Sequence, residues 1–501
     1  MTFRPGALYG VTAGAVALSV ASIGGALVDG AAPPLQVLGD WVIRITPVSV
    51  TEGIIGAVGR HDKQLLLACM VVVAALAFAV VGIRFGRGHR VDALVGVGLL
   101  SLLPALAASS TSTSVTRELI VMVPSGLLGA AVLRALSPPD PAAEHASLTS
   151  AGVDRRQALT ASVVLVASAA IGIGVVRQLR KPSMALMSRL RAALPRPAKP
   201  LAALVDELAF RGASPLVTAN DDFYRIDISQ TPPLVEPSDW ALTISRDGKT
   251  LRKLGYDELL ALSLTQADVT IGCVSNEVGG DLVGTARWQG VLLAQLLKSA
   301  GVSSAGRVSG VSVDGFVASF AGHYAFDGRP SLVAVGMNDE VLPIKHGFPA
   351  RLVVPGLYGY TSATKWLQTI DVSDSTSLPG FWASRGWAPA VEVHVMSRID
   401  TPLGGVRAGT VDIAGIAWAP TAGVGSVEVQ VDDGPWQRAQ LSTAVSGIVW
   451  RQWVLPWQAT RGKHRLTVRA TDAHGRAQET RRRPVYPSGA TGLHSVAVTV
   501  H

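Results

Sequence analysis

The sequence predicts a multi-domain chain: N-terminal transmembrane α-helices, then an α+β domain, then a C-terminal Ig-like β-sandwich. Three observations predict it. Charged residues make up only 16% of the 501 residues, well below the roughly 25% of soluble proteins. The first third holds long runs with no Asp, Glu, Lys or Arg. From about Ser214 short β-like runs take over, and helix-like stretches cease from about Ala390.

The runs Gly6–Val28, Gln64–Ile83, Ala93–Thr116 and Gln157–Val176 are uncharged, and each reaches the ~20 residues that cross a bilayer. Leu119–Leu133 is shorter and contains Pro124, which makes it the weakest of five spans. The segment with Asp40, Arg44 and Glu52 between the first two runs reads as an interfacial or extracytoplasmic connection, with a sixth span as the alternative. The formal charge of +8 comes with no aromatic-rich basic stripe; this argues against nucleic acid and for basic membrane flanks.

The basic loop "RFGRGHR", Arg84 to Arg90, marks the cytoplasmic side. With five spans, Arg4, Arg134, Arg155 and Arg156 share that side, and everything beyond Val176 lies outside the cytoplasm. The basic segment "RQLRKPSMALMSRLRAALPRPAK" after the fifth span pulls the other way. Arg155 and Arg156 stand directly before the last span, as in a twin-arginine export signal. They equally serve to end a helix at the membrane surface.

In the soluble part, "DWALTISRDG", "VASFAG", "SLVAVGM" and "PARLVVPG" read as strands, with helices at "GYDELLAL" and "GVLLAQLLKSAG", a mixed α+β pattern. Beyond Ala390, alternating runs such as "SVEVQVDDGPWQRAQL" and "HRLTVRATDAHGR" imply the sandwich. The domains are therefore a transmembrane anchor of about five helices (1–176), a basic linker (177–213), an α+β domain (214–388) and an Ig-like domain (389–501).

Only two cysteines are present, Cys69 in an apolar run and Cys273 in "IGCVSNEVGGD". A disulfide between them is not expected. Cys273 read alone fits two roles, an inert core residue or a sulfur with chemistry to do. The segment from Met337 to Val372 sets His346, Arg351 and Lys365 among Gly347, Gly356 and Gly359, a pattern that grips a phosphate-bearing ligand or forms a plain hairpin with its cations in water. In "ANDDFYRID", Asn220 and Tyr224 sit at what reads as a strand entry.

Taken together, "LPIKHGFPARLVVPG" followed by "KWL", "GCVSNE" and "ANDDFYRID" resemble the sulfite oxidase superfamily of molybdopterin-dependent oxidoreductases, over roughly Ser214 to the C-terminus. The resemblance implies an α+β sulfite-oxidase-like molybdopterin-binding catalytic domain and a C-terminal Ig-like dimerisation domain. It implies molybdenum with molybdopterin as cofactor and Cys273 as the metal ligand. By it, Asn220, Phe223, Tyr224, His346, Arg351 and Lys365 bind the cofactor. A soft thiolate suits such a metal. Where the family carries two arginines and a tyrosine around its dianionic substrate, this chain has Ala219, Val278 and Val335, and Glu277 adds a negative charge. Oxygen-atom transfer to or from a neutral small-molecule substrate, for example a sulfoxide, is thus expected rather than sulfite oxidation. Sulfite turnover, compensated by arginines of the sandwich, is the alternative, as is a membrane-anchored binding protein that lost the cofactor.

No CxxCH haem motif is present, and two cysteines cannot hold an iron–sulfur cluster. His61 and His89 fall on opposite membrane sides, which makes a shared haem awkward, and His323 reads as structural. Electrons are therefore expected to come through a separate electron-transfer partner or quinone. The expected location is the cell membrane, multi-pass, with the catalytic domain extracytoplasmic and a homodimer formed by the Ig-like domain.

Overall fold

A computed structural model describes residues 5–28, 31–47, 50, 53–54, 62–109, 114–136, 155–179, 194–197, 199–205, 208, 212–229, 232–389 and 392–501. Arg4, Glu52, His61, most of the basic linker and the boundary at Ala390 lie outside the described residues. So do the side chains of Arg155 and Arg156. The chain separates into two compact units. One comprises Met1–Leu186 with Ile228–Thr231, the other Met187–Asp227 with Pro232–His501.

The first unit is helical. Four helices are long and apolar enough to cross a membrane: Gly6–Leu27, Lys63–Gly86, Arg90–Ala108 and Val115–Leu136. The fourth retains Pro124 inside it and runs longer than the sequence suggests. A fifth helix, Arg155–Leu179, carries a shorter apolar stretch, Leu159–Gly172. Helix Pro34–Ile45 has 12 residues, about 18 Å at 1.5 Å per residue, too short for a hydrocarbon layer of about 30 Å. It is a connection, not a sixth span. Helices Pro5–Leu27 and Asp62–Gly86 meet backbone to backbone: a Cβ on Gly10 would lie 2.0 Å from the Phe78 carbonyl oxygen. Such close approach is the usual basis of helix association in lipid.

In the second unit the strands are β1 (Ala241–Arg246), β2 (Lys249–Gly255), β3 (Thr265–Gly272), β4 (Val283–Leu292), β5 (Arg307–Ser312), β6 (Val317–Ala321), β7 (Leu332–Met337), β8 (Glu340–Val341), β9 (Arg351–Val353) and β10 (Leu367–Ser373). They form two sheets. One runs β2-β1-β10-β5-β6; the other runs β3-β4-β7-β8, with β9 paired to β7. Only β1 and β10 pair in parallel there. The helix expected from Trp288-Gln289-Gly290 starts later, at Leu293. Residues up to Leu292 continue β4 because Gly290, Val291 and Leu292 pair with Ala334, Val333 and Leu332. Trp288 is fully buried at the centre of this half, among Val269, Ile271, Leu332 and Val353.

The remaining strands are β11 (Met396–Thr401), β12 (Gly404–Val406), β13 (Gly409–Trp418), β14 (Val424–Val431), β15 (Gln437–Arg438), β16 (Gln440–Leu441), β17 (Arg451–Ala459), β18 (Gly462–Asp472) and β19 (His494–Val500). They form sheets β11-β13-β17-β16 and β12-β19-β18-β14-β15. Alternating side chains from both sheets, among them Ile413, Val427, Trp453, Leu466 and Val468, close one core, as a sandwich requires.

Candidate active site around Cys273

β3 delivers Cys273 into a tight loop that returns to β4. The Cys273 amide donates to the Leu282 carbonyl (2.9 Å), and Asn276 Oδ1 accepts the Leu282 amide (2.8 Å). Gly279 turns the loop at φ +83°, and a Cβ on Gly280 would sit 2.6 Å from Asn276 Oδ1, so glycine is required there. The thiol is 6% exposed and forms the floor of a cleft lined also by Val278, Tyr358, His394, Met396 and Trp418. Burial pushes the thiol above its usual range, offset by hydrogen bonds from Ser275 and by the charge of Lys365.

Around Trp288 the structure gathers the other residues singled out. Phe223 stacks on Tyr224 (centroids 5.3 Å) and meets Trp288 and His346 edge-on at 5.8 and 5.7 Å. The Asn220 to Tyr224 segment is a turn, not a strand. It is tied down on both sides: Asn338 donates to Asn220 Oδ1 (2.9 Å), and His346 Nε2 donates to the Asn220 carbonyl (2.7 Å). Burial first, then neighbouring Arg351 and Lys365, depress His346 to about 3. It is a neutral imidazole at ordinary pH.

Arg351, on β9, is 5% exposed. Its guanidinium lies 4.8 Å from the Trp288 ring centroid and donates to the carbonyls of His346 (3.1 Å) and Ala363 (3.5 Å). Among the described residues no carboxylate pairs with it, and burial lowers it to about 10. Lys365 differs. Its ammonium donates to Asp227 Oδ2 (3.0 Å) and the Ile226 carbonyl (2.9 Å), and Asp227 also takes the Arg225 Nε (2.8 Å). Gly347, at φ +115°, lets the chain pass with Lys365 Cα only 3.0 Å from where its Cβ would be. These cations are anchored inside the fold; they do not extend into water as in a plain hairpin.

These residues fit a molybdenum–pterin group. A buried guanidinium without a counter-charge is costly and suits an anionic ligand. Among the described residues no cluster of three or more His, Cys, Asp or Glu side chains stands ready for a metal. One sulfur donor suits a metal that arrives already coordinated.

The sandwich contributes what the sequence did not reveal. His394, Met396, Ser397 and Trp418 line the cleft over Cys273, and the Trp418 ring lies 3.1 Å from a Cβ built on Gly272. Tyr358 was inside a segment singled out but was not itself picked; its position beside Gly359 gave no distinctive signal. Arg398 of the sandwich reaches the Cys273 loop and is held by Asp400 (2.6 Å), the Gly280 carbonyl (2.6 Å) and Ser214 (2.7 Å). Val278 lines the cleft, whereas Val335 is fully buried in β7 and does not. His323 packs at a 41° tilt against Tyr324, centroids 4.0 Å apart, and is not part of the cleft lining. His89 is exposed beside Asp92.

A buried thiol lining a cleft and a buried guanidinium on this α+β frame are compatible with a molybdopterin-binding oxidoreductase domain. Residues 229–382 match the family described as the oxidoreductase molybdopterin binding domain. That segment carries the family's domain, and the chain is similar to the sulfite oxidases over about half of its length. It is 29% identical over 301 residues to mitochondrial sulfite oxidase of Mus musculus and 30% over 302 residues to that of Macaca fascicularis. Each match covers 50% of this chain and 55% of the relative, so the chain spans about half the length of these relatives. An uncharacterized oxidoreductase of Bacillus subtilis (strain 168) is 33% identical over 135 residues, 27% of this chain and 65% of that protein. Among solved structures, sulfane dehydrogenase SoxCD from Paracoccus pantotrophus aligns with a TM-score of 0.49 at 20% identity, covering 60% of this chain and 90% of that chain.

Proposed function

We propose that this oxidoreductase binds a molybdenum–molybdopterin cofactor, with Cys273 as its protein ligand, and catalyses oxygen-atom transfer on a neutral oxygenated substrate such as a sulfoxide. The carrying observation is the cleft above Cys273: its lining includes Glu277 and no lysine or arginine. A confined dianion would lack the charge-assisted hydrogen bonds that hold it. Arg398 is already committed to Asp400, which weighs against rescue of a sulfite role from the sandwich.

When bound, the cofactor supplies the metal whose change of oxidation state accompanies oxygen transfer. Cys273 gives up its proton on ligation and contributes one sulfur. Arg351 offers an uncompensated positive charge to the cofactor. His346 holds the Asn220 turn in place, and Phe223 and Tyr224 provide a flat aromatic wall. Lys365, braced by Asp227, adds positive potential near Cys273. Trp418 and Met396 shield the cleft from bulk water.

The domain boundaries at 176, 213 and 388 fit this scheme, with the helical unit as membrane anchor. The apolar helices and the Arg155–Arg156 pair support a multi-pass cell-membrane protein whose catalytic part is exported folded. Electron exchange with a separate protein or quinone, and dimerisation through the Ig-like domain, complete the proposal.

The test is metal and pterin analysis of the purified full chain, followed by steady-state assays with sulfoxides and sulfite. Near-stoichiometric molybdenum with sulfoxide turnover supports the reading. Efficient sulfite oxidation at micromolar KM overturns the substrate, and absence of metal after cofactor-sufficient expression overturns the enzyme in favour of a binding protein.

A further inference from the structure

We propose that Tyr358 recognises the substrate's oxygen atom by donating its phenolic hydrogen to it. This rests on the reading of the Cys273 cleft as a substrate site. Tyr358 lines that cleft together with Cys273 and is 6% exposed. Its backbone is fixed: its carbonyl accepts the Thr361 amide (3.1 Å), Thr361 Oγ1 (3.0 Å) and Ser362 Oγ (3.0 Å). Its ring is fixed too, edge-on to His394 at 6.2 Å. On the far side Gly489 leaves only 2.5 Å between the hydroxyl oxygen and a Cβ built there.

The hydroxyl's hydrogen-bonding state gives the argument its direction. The backbone amide of His394 donates to the oxygen of the buried Tyr358 phenol. A phenol that accepts one hydrogen bond still has its own proton to give. Among the described residues nothing accepts that proton. Tyr358 lines the cleft, so a ligand held there can take that proton.

The surroundings set the class of ligand. The apolar part of the cleft lining is Val278, Met396 and Trp418, suited to alkyl or aromatic substituents. The same lining carries Asn276, Glu277, Ser397 and Gln478 but no lysine or arginine; a neutral donor in such a cleft fits a neutral molecule with a strong acceptor oxygen and apolar arms, the chemistry of a sulfoxide. At the positions where the resemblance calls for arginines and a tyrosine, this chain has Ala219, Val278 and Val335. Tyr358 restores one hydroxyl from a different element, without the charge.

The experiment uses the full-length, cofactor-loaded chain and Tyr358→Phe, with dimethyl sulfoxide and dimethyl sulfide as paired ligands. Binding is read by tryptophan fluorescence, which Trp418 reports from inside the cleft, and turnover by oxidation of a reduced viologen dye. Tyr358→Phe is expected to weaken sulfoxide binding about tenfold, as loss of one hydrogen bond implies, and to leave sulfide binding unchanged. Molybdenum content and melting temperature should match the unaltered chain. In that unaltered chain, near-ultraviolet difference absorption should show the tyrosine band moving to longer wavelength with the sulfoxide and staying still with the sulfide. This second reading does not depend on how the variant folds. Equal sulfoxide binding by both proteins, or a tyrosine band that does not move, overturns the role of Tyr358 while wild-type turnover still supports the function proposed above. Wild type that neither binds nor reduces sulfoxides overturns that function, and this inference with it.

Discussion

Arg351 offers the sharpest test of the cofactor pocket, because its charge is buried without a partner. The residue is 5% exposed, with one good hydrogen bond at 3.1 Å to the His346 carbonyl and two long ones at 3.5 Å to the Ala363 and Leu352 carbonyls. Its lowering from 12.5 to about 10 corresponds to a penalty of roughly 3 kcal/mol on the charged form. The sign follows from proton counting. Below the folded value both states are protonated and the penalty is fully present; it disappears only as pH rises from there toward 12.5. At neutral pH the cofactor-free fold therefore carries the whole cost. Arg351→Met removes it and keeps the stem's packing. The loss of the Trp288 contact and the hydrogen bond costs about 1–2 kcal/mol, so a net gain of about 1 kcal/mol remains. Full-length protein made without cofactor should then melt no lower than wild type, and up to about 4 °C higher. The same change should cost the loaded protein about 1.5–3 kcal/mol of charge-assisted binding, roughly 10- to 150-fold in cofactor affinity. Near-ultraviolet circular dichroism gives the melts, and metal analysis after dialysis gives retention. A cofactor-free variant that melts several degrees lower, with cofactor retention unchanged, would refute the claim that Arg351 awaits an anion.

Other perturbations probe the frame. His346, depressed to about 3 from 6.5, is neutral in the fold but protonates when unfolded, so stability should fall as pH drops below 6.5. Between pH 7 and pH 5 wild type should lose about 2 kcal/mol more than His346→Gln, measured by denaturant melts at each pH. Trp453→Ala, at a fully buried sandwich position, should cost about 3–5 kcal/mol in chemical unfolding and loosen the cover over Cys273. Gly10→Leu would force side-chain atoms against the Phe78 carbonyl; detergent-solubilised protein should show a lowered melting temperature for the helical unit, with the second unit's melt unchanged.

The residues proposed to carry chemistry were legible where the motif is local. Cys273 announced itself as a lone thiol between a strand and a Gly-rich loop, and the loop closes as such a sequence demands, through Asn276 and Leu282. The Met337 to Val372 segment was legible because glycines and cations alternate over a short distance. What the sequence hid was non-local. The bracing of Lys365 by Asp227 joins residues 138 positions apart, and no periodicity reports such a pair. The cover of His394, Met396 and Trp418 over Cys273 depends on how the sandwich packs against the α+β half, which strand alternation leaves open. Asn220 was misplaced on a strand because Asn-Asp-Asp fits both a strand entry and a turn. The turn is favoured here because His346 and Asn338 supply its hydrogen bonds from elsewhere in the chain. The start of helix Leu293–Ser299 moved for a similar reason, since pairing with β7 held residues 290–292 in the strand.

The central claim concerns a single sulfur, and X-ray absorption at the molybdenum edge tests it most directly. Purified wild type should contain molybdenum with a sulfur shell that loses one member in Cys273→Ser, while circular dichroism shows both proteins folded alike. Identical sulfur shells in the two proteins, or a wild type without molybdenum, would contradict it.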